Sequence, residues 1–247
     1  MNNDFYEDIY TKNIEPLYGE KRIDVDDILL LKNNNYPHLY SIQNRVDLTN
    51  LDVYSIDPDG CLDADDAFSI TNINGNITLY IHIADPTEYI ELHSDLWLSI
   101  EHKIITKYPS NRMPIHLMPI EIMEKSSLME NDYGMIKNAI SIKVEIDNYT
   151  FLPRNNIQLL FSKIKVKNEN SYSYELASKH VENIECFKIG LMISEALLLK
   201  RSEKTIGVKL NDLNQSFISY DCGIPYLHVD SRLEKKMKQM IAEFAIL

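Results

Sequence analysis

The chain has 247 residues, 45% hydrophobic and 25% charged, which is enough apolar material for a substantial core and excludes a disordered, collagen-like or small disulfide-scaffold protein. Its 25 Lys and Arg against 37 Asp and Glu leave a formal charge of −12, the wrong sign for a protein that coats nucleic acid by charge alone. Three cysteines, none in a C-x-x-C pair, exclude a zinc cluster or disulfide framework and favour a reducing, cytoplasmic setting. The acidic start Met1-Asn-Asn-Asp-Phe-Tyr-Glu-Asp8 is not a secretory signal, and no apolar run approaches the roughly 18 residues of a membrane span, so a soluble protein without a membrane partner is expected.

Residues 1–45 mix acidic positions with short apolar runs and end in the polar Lys32-Asn-Asn-Asn-Tyr-Pro37 stretch, which marks a small N-terminal appendage ahead of a main domain over 46–247. The alternating runs Val53–Ile56, Ala67–Ile70 and Ile77–Ile83, separated by an Asp-rich turn and a Gly-containing turn over 72–76, predict a sheet with hairpin connections. Leu92, Leu96, Trp97, Ile100 and Ile104 lie at helical spacing and predict a helix over 92–107. Three prolines between Tyr108 and Pro119 interrupt regular structure, after which Ala139–Ile146 alternates as a strand. Residues 173–204 read as helices, and 233–246 as another with Leu233, Met237, Met240, Ile241 and Phe244 on one face. That helix ends on the apolar turn Phe244-Ala-Ile-Leu247, which either docks into the core or is covered by later chain of a longer protein. The order of elements is that of a mixed α/β domain.

The most informative stretch is Asp57-Pro-Asp-Gly-Cys-Leu-Asp63-Ala-Asp65-Asp66-Ala67, five carboxylates in ten residues with no Lys or Arg among them. Such crowding is unfavourable unless a cation neutralises it, and a hard divalent ion with oxygen ligands is the natural candidate. The EF-hand pattern fails, because counting from Asp57 puts Gly60 fourth and Phe68 twelfth, where calcium loops need Gly sixth and Glu twelfth. A solvated Asp-Pro-Asp-Gly turn with local hydrogen bonds is the alternative that needs no ion. The flanking strands hold these carboxylates on rigid elements, which suits phosphoryl chemistry.

Here the sequence resembles the RNB-domain exoribonucleases, the RNase II and RNase R group. The family pattern D-x-x-x-x-x-D-x-D-D-A, commonly preceded by R-x-D-L, is matched by Arg45-Val-Asp-Leu48 followed by Asp57, Asp63, Asp65, Asp66 and Ala67. Ile83-Ala-Asp-Pro-Thr-Glu-Tyr-Ile90, Thr106-Lys-Tyr108 with Met113-Pro and Leu117-Met-Pro119, and Met240-Ile-Ala-Glu-Phe244 resemble further family blocks, in order, over residues 45–247. The resemblance implies an RNB-like catalytic domain, incomplete at its C-terminus, that hydrolyses single-stranded RNA from the 3′ end to 5′-nucleoside monophosphates with Mg2+. It also implies that residues 1–45 are at most a remnant of an OB or cold-shock-like domain. By the same resemblance Asp57, Asp63 and Asp66 would hold metal, Asp65 would serve the chemical step, and Tyr108 and Lys103 would contact RNA, Lys103 standing where the family usually has Arg. The family carries an S-P-I-R-R-Y segment further on, whose Arg is absent here. The alternative is therefore an RNA-binding pseudonuclease, and from another class a structural calcium module.

Other positions are weighed on their residues alone. His82, mid-strand, is expected to be a hydrogen-bonded sheet histidine rather than a group facing substrate, and Asp85 to cap the turn that follows it. Lys163, Lys165 and Lys167 alternate, as either a phosphate track or a solubilising strand edge, and Lys235, Lys236 and Lys238 mark the wet side of the last helix. Cys61 is a poor Mg2+ partner and reads as incidental.

Overall fold

The computed structural model describes residues 44–61, 63–101, 103, 105–107, 115–203, 216–221 and 224–247. The expected appendage falls on residues 1–43, outside the described residues. The described chain divides into two compact units, one made of Arg45–Ala84 and Leu128–Leu247, the other holding Asp85–Ser127.

The first unit is organised by a five-stranded sheet. Its strands are β1 (Val46–Asp47), β3 (Asp66–Ile73), β4 (Asn76–Ala84), β5 (Ile136–Ile146) and β6 (Pro153–Lys165), in the spatial order β1-β6-β5-β4-β3. β3 to β6 run antiparallel to their neighbours, while β1 joins β6 in parallel. The hairpin between β3 and β4 turns on Asn74 and Gly75, both at positive φ (53° and 81°), the backbone that a two-residue loop matching strand twist requires. Two short strands, β2 (Ser55–Asp57) and β7 (Ser171–Ser173), pair in parallel, and β8 (Ser216–Asp221) and β9 (Ile224–Val229) form a hairpin.

Strand alternation sends one set of residues to each face. Phe68, Leu79, Ile81 and Val144 face α3 (Tyr174–His180), α4 (Glu185–Ser202) and α5 (Arg232–Ile246), where they pack against Phe187, Ile193, Met237, Met240 and Phe244. Ala67, Ala139 and Ile164 face the other way, onto Leu48, Val53, Ala64 and Leu128. Beyond the helices the first face stays apolar but uncovered: Ile83, Ile157, Leu159 and Phe161 are exposed. α5 is N-capped by Ser231, whose hydroxyl accepts from the Glu234 N–H. Its last turn docks through Phe244 and Leu247, whereas Ile246 and Leu233 reach solvent, which removes Leu233 from the expected apolar face. The buried Glu243 on that helix is held by Arg201 of α4 and by Gln239 Nε2 at 2.6 Å.

α4 and α5 approach closely at Gly190. A Cβ there would lie 2.6 Å from Met240 Sδ and 3.5 Å from both Ile70 Cδ1 and Phe244 Cζ. Met240 and Phe244 are themselves buried, so relief requires the helices to part. Gly190→Ala is expected to cost about 1–3 kcal/mol, read as a lower urea midpoint at unchanged slope.

The second unit packs Leu96, Ile100 and Ile122 from α1 (Asp95–Ile100) and α2 (Ile120–Ser126). The helix expected over 92–107 is thus much shorter. His93 sits at φ 65°, which a right-handed helix cannot include, so the helix starts only after Ser94, whose hydroxyl caps it by accepting from the Trp97 N–H at 3.1 Å. Among the described residues no helix is long and apolar enough to cross a membrane.

Candidate active site

The Asp-rich segment leaves β2 at Asp57 and enters β3 at Asp66, and backbone contacts tie it down along its length. Pro58 to Cys61 form a turn closed by the Cys61 N–H donating to Pro58 O at 3.1 Å, with Gly60 at φ 77° as that turn demands. The Cys61 thiol donates to Asp63 O at 2.9 Å, so Cys61 braces the loop. Ala64 is fully buried and its carbonyl accepts from the Leu128 N–H at 2.8 Å. Asp65 O accepts from the Ala84 N–H, also at 2.8 Å, where β4 ends. Asp57, held by the β2–β7 pairing opposite Ser173, therefore faces Asp63, Asp65 and Asp66 from a fixed backbone.

The electrostatics follow from that confinement. Burial first, and then the charges of Asp66, Asp65 and Asp63, push the Asp57 carboxyl from the ordinary carboxylate range up to about 7, against the smaller opposing effect of a hydrogen bond from the Ser55 side chain. Asp65 and Asp66 are also pushed upward, by partial desolvation and then by their neighbours, Asp63 for Asp65 and Asp65 for Asp66, although both reach solvent. Asp57 Oδ2 is buried with no hydrogen-bond partner among the described residues. An acceptor in that state calls for a cation or a proton.

Those observations fit a hard divalent ion. Among the described residues no three His, Cys, Asp or Glu side chains converge tightly enough to hold a metal by themselves. Mg2+ suits such a site, because it takes one or two carboxylates, keeps several waters and completes its shell with substrate phosphate.

Sequence reasoning missed Tyr174. The parallel pairing of β2 with β7 places this first residue of α3 beside the cluster, where burial and the charges of Asp57, Asp66 and Cys61 push its phenol up to about 12. It is a neutral hydroxyl at the edge of an anionic site, and Lys238 Nζ lies 5.6 Å from its ring centroid. Only the Ser171-Tyr-Ser-Tyr174 alternation before a helix hinted at it.

The remaining candidates divide. Tyr108 lies outside the described residues. Lys103 is half-buried just beyond α1, its N–H donating to Ile100 O at 2.9 Å, in the unit that does not carry the carboxylates. His82 is fully buried and hydrogen-bonded, which sets aside a substrate-facing role. Asp85 is buried and accepts from Thr87 Oγ1 at 2.5 Å at the head of the turn Pro86–Tyr89, as a structural residue does. Lys163 is exposed, but β6 ends at Lys165 and Lys167 pairs with Glu169 at 3.3 Å, so the three do not form one free cationic strand face. On α5, Lys236 pairs with Glu195 at 2.6 Å and Lys238 reaches the buried Asp230 at 2.7 Å, so Lys238 belongs to the packed side rather than the wet one.

Residues 45–247 match the RNB domain family model. Exoribonuclease 2 of Buchnera aphidicola from Acyrthosiphon pisum is 32% identical over 174 residues, 69% of this chain and 23% of that protein. The fold is similar to that of Mycoplasma genitalium RNase R in complex with double-stranded RNA, with a TM-score of 0.72 at 20% identity over 94% of this chain and 42% of that one. It is also similar to yeast Ssd1, a pseudonuclease, with a TM-score of 0.57 at 18% identity over 69% of this chain and 21% of that one. The chain spans less than a third of the length of the curated relatives it matches.

Proposed function

The chain belongs to the RNB-domain family, and from that premise we propose that it is a Mg2+-dependent exoribonuclease that hydrolyses single-stranded RNA from the 3′ end to 5′-nucleoside monophosphates in the cytoplasm. The observation that carries the reading is the buried Asp57 Oδ2, without a hydrogen-bond partner among the described residues and within reach of the charges of Asp66, Asp65 and Asp63. In this reading the catalytic domain runs over residues 46–247.

In this mechanism Asp57, Asp63 and Asp66 would supply the protein ligands of a metal whose shell water and substrate phosphate complete, and the ion would neutralise the cluster and the phosphate and lower the pKa of the attacking water. Asp65, fixed through its own carbonyl to the end of β4 and open to solvent, would accept a proton from the attacking water as its oxygen bonds to phosphorus and the P–O3′ bond breaks, the departing 3′ oxygen taking a proton from solvent. The Tyr174 hydroxyl stays protonated and donates to the substrate end. Lys103 contacts backbone phosphate. Tyr108 stacks on a base near the 3′ end, a contact worth roughly 1–3 kcal/mol that tolerates any sequence. Tyr108→Ala should therefore change mainly the length of the limit product, read on a sequencing gel, with little loss of initial rate.

The test is a time course of the 247-residue chain on 5′-labelled single-stranded RNA with Mg2+ and with EDTA. A ladder shortening from the 3′ end only with Mg2+ supports the proposal. RNA retention without cleavage overturns it in favour of an RNA-binding pseudonuclease. Stabilisation by Ca2+ in preference to Mg2+, with no RNA affinity, overturns it in favour of a structural calcium module.

A further inference from the structure

A chain of hydrogen bonds crosses the sheet on the face away from α3–α5. Ser69 on β3, His82 on β4, Ser141 on β5 and Ser162 on β6 are all buried to 1% exposure or less on the face away from α3–α5. Ser69 Oγ lies 3.1 Å from His82 Nε2, His82 Nδ1 lies 2.7 Å from Ser141 Oγ, and Ser141 Oγ lies 2.6 Å from Ser162 Oγ. Ser162 Oγ donates to Ala139 O at 3.2 Å.

One proton per hydroxyl orders the whole chain. Ser162 spends its proton on Ala139 O, so it accepts from Ser141. Ser141 then accepts from His82 Nδ1–H, and His82 Nε2 accepts from Ser69. This order corresponds to the neutral Nδ1–H tautomer, with both ring nitrogens used.

The links are diagonal as well as direct. His82 stands opposite Ser141 and opposite Ala67, whereas Ser69 is opposite Tyr80, and Ser162 is opposite Ala139. A one-residue slip of any strand pair would turn one member onto the helix-covered face and break the chain. The residues after His82 on β4 hold the site: Ile83 is registered with Asp66, and the Ala84 N–H donates to Asp65 O.

We propose that His82 is a positioning residue for Asp65 and Asp66, acting through the Ser69–His82–Ser141–Ser162 chain to fix the register of β4 against the start of β3, where these two carboxylates stand. The inference rests on the metal-nuclease reading for the role of those carboxylates, but its backbone part is independent of it. Partners behind metal-holding groups typically change affinity by about 10- to 100-fold.

The test uses Ser141→Ala, which removes one hydroxyl and leaves the imidazole in place, and Ser141→Thr, which keeps the hydroxyl. In the wild type, 15N ring shifts should show the Nδ1–H tautomer at His82. In Ser141→Ala, exchange of the Ala84 amide should quicken by about tenfold while Ile193 in α4 keeps its protection. The Mg2+ concentration for half-maximal thermal stabilisation should rise about tenfold, and kcat should fall at unchanged KM for RNA, with Ser141→Thr restoring both. Unmoved Ala84 exchange and an unmoved Mg2+ midpoint overturn the proposal. Equal loss of protection at Ile193 also overturns it, since it signals general destabilisation. If the wild type gives no Mg2+ response yet Ala84 loses protection selectively in Ser141→Ala, register control by His82 stands and the metal-nuclease reading fails.

Discussion

Asp65→Asn is expected to lower RNA cleavage by at least about three orders of magnitude while RNA affinity stays within about twofold of wild type. The amide has the size of the carboxylate, and the Asp65 carbonyl still accepts from the Ala84 N–H, so the loop keeps its path. What disappears is the charge and the proton acceptor. Removing one negative charge from a site where Asp63 and Asp66 remain does not weaken attraction for phosphate. Rates come from single-turnover gels and affinity from fluorescence anisotropy, measured separately. Near-normal cleavage in this variant would mean that Asp65 has no part in the chemical step.

The second large effect is on stability without metal. The Asp57 carboxyl is raised in the fold from 3.8 to about 7, so the folded chain holds that proton more tightly than the unfolded chain does. Stability from this group is therefore fully present below about pH 4 and is lost as pH rises through about 7. In EDTA at pH 8, Asp57→Asn should melt at least about 4 °C above the wild type, and the difference should shrink steadily toward pH 4. Mg2+ should raise the wild-type Tm and leave the variant nearly unmoved, because the cation takes the place of the proton. His82 works in the opposite direction: burial pushes its imidazole down to about 4, which costs stability as pH falls from 6.5 toward that value. Both proteins carry His82, so its contribution cancels in the difference. A variant less stable than the wild type at pH 8 in EDTA would show that Asp57 already has a compensating partner without metal.

The Gly-containing turn over 72–76, the alternation of β4 and β5, the last helix and the spacing of Asp57, Asp63, Asp65 and Asp66 were all legible in the sequence, because each depends on residues close along the chain. The carboxylate cluster was also legible as an electrostatic problem in search of a cation, since no Lys or Arg interrupts it. The short first helix was not, because the positive φ of His93 overrides an apolar spacing that favours an earlier start. Nor was the packed position of Lys238, which is determined by its buried partner Asp230, eight residues earlier and just ahead of the helix.

Local pattern alone therefore carried the mixed α/β class, the strands that flank the Asp-rich segment and the crowding of carboxylates within it. Tertiary structure decided the rest. The parallel pairing of β2 with β7 brings Ser173 to Asp57 and Tyr174 to the cluster's edge, and the register of four strands aligns Ser69, His82, Ser141 and Ser162 into one chain. Both depend on which strand becomes whose neighbour, which is set by the burial of distant apolar faces against each other and leaves no mark on the residues immediately before and after each partner.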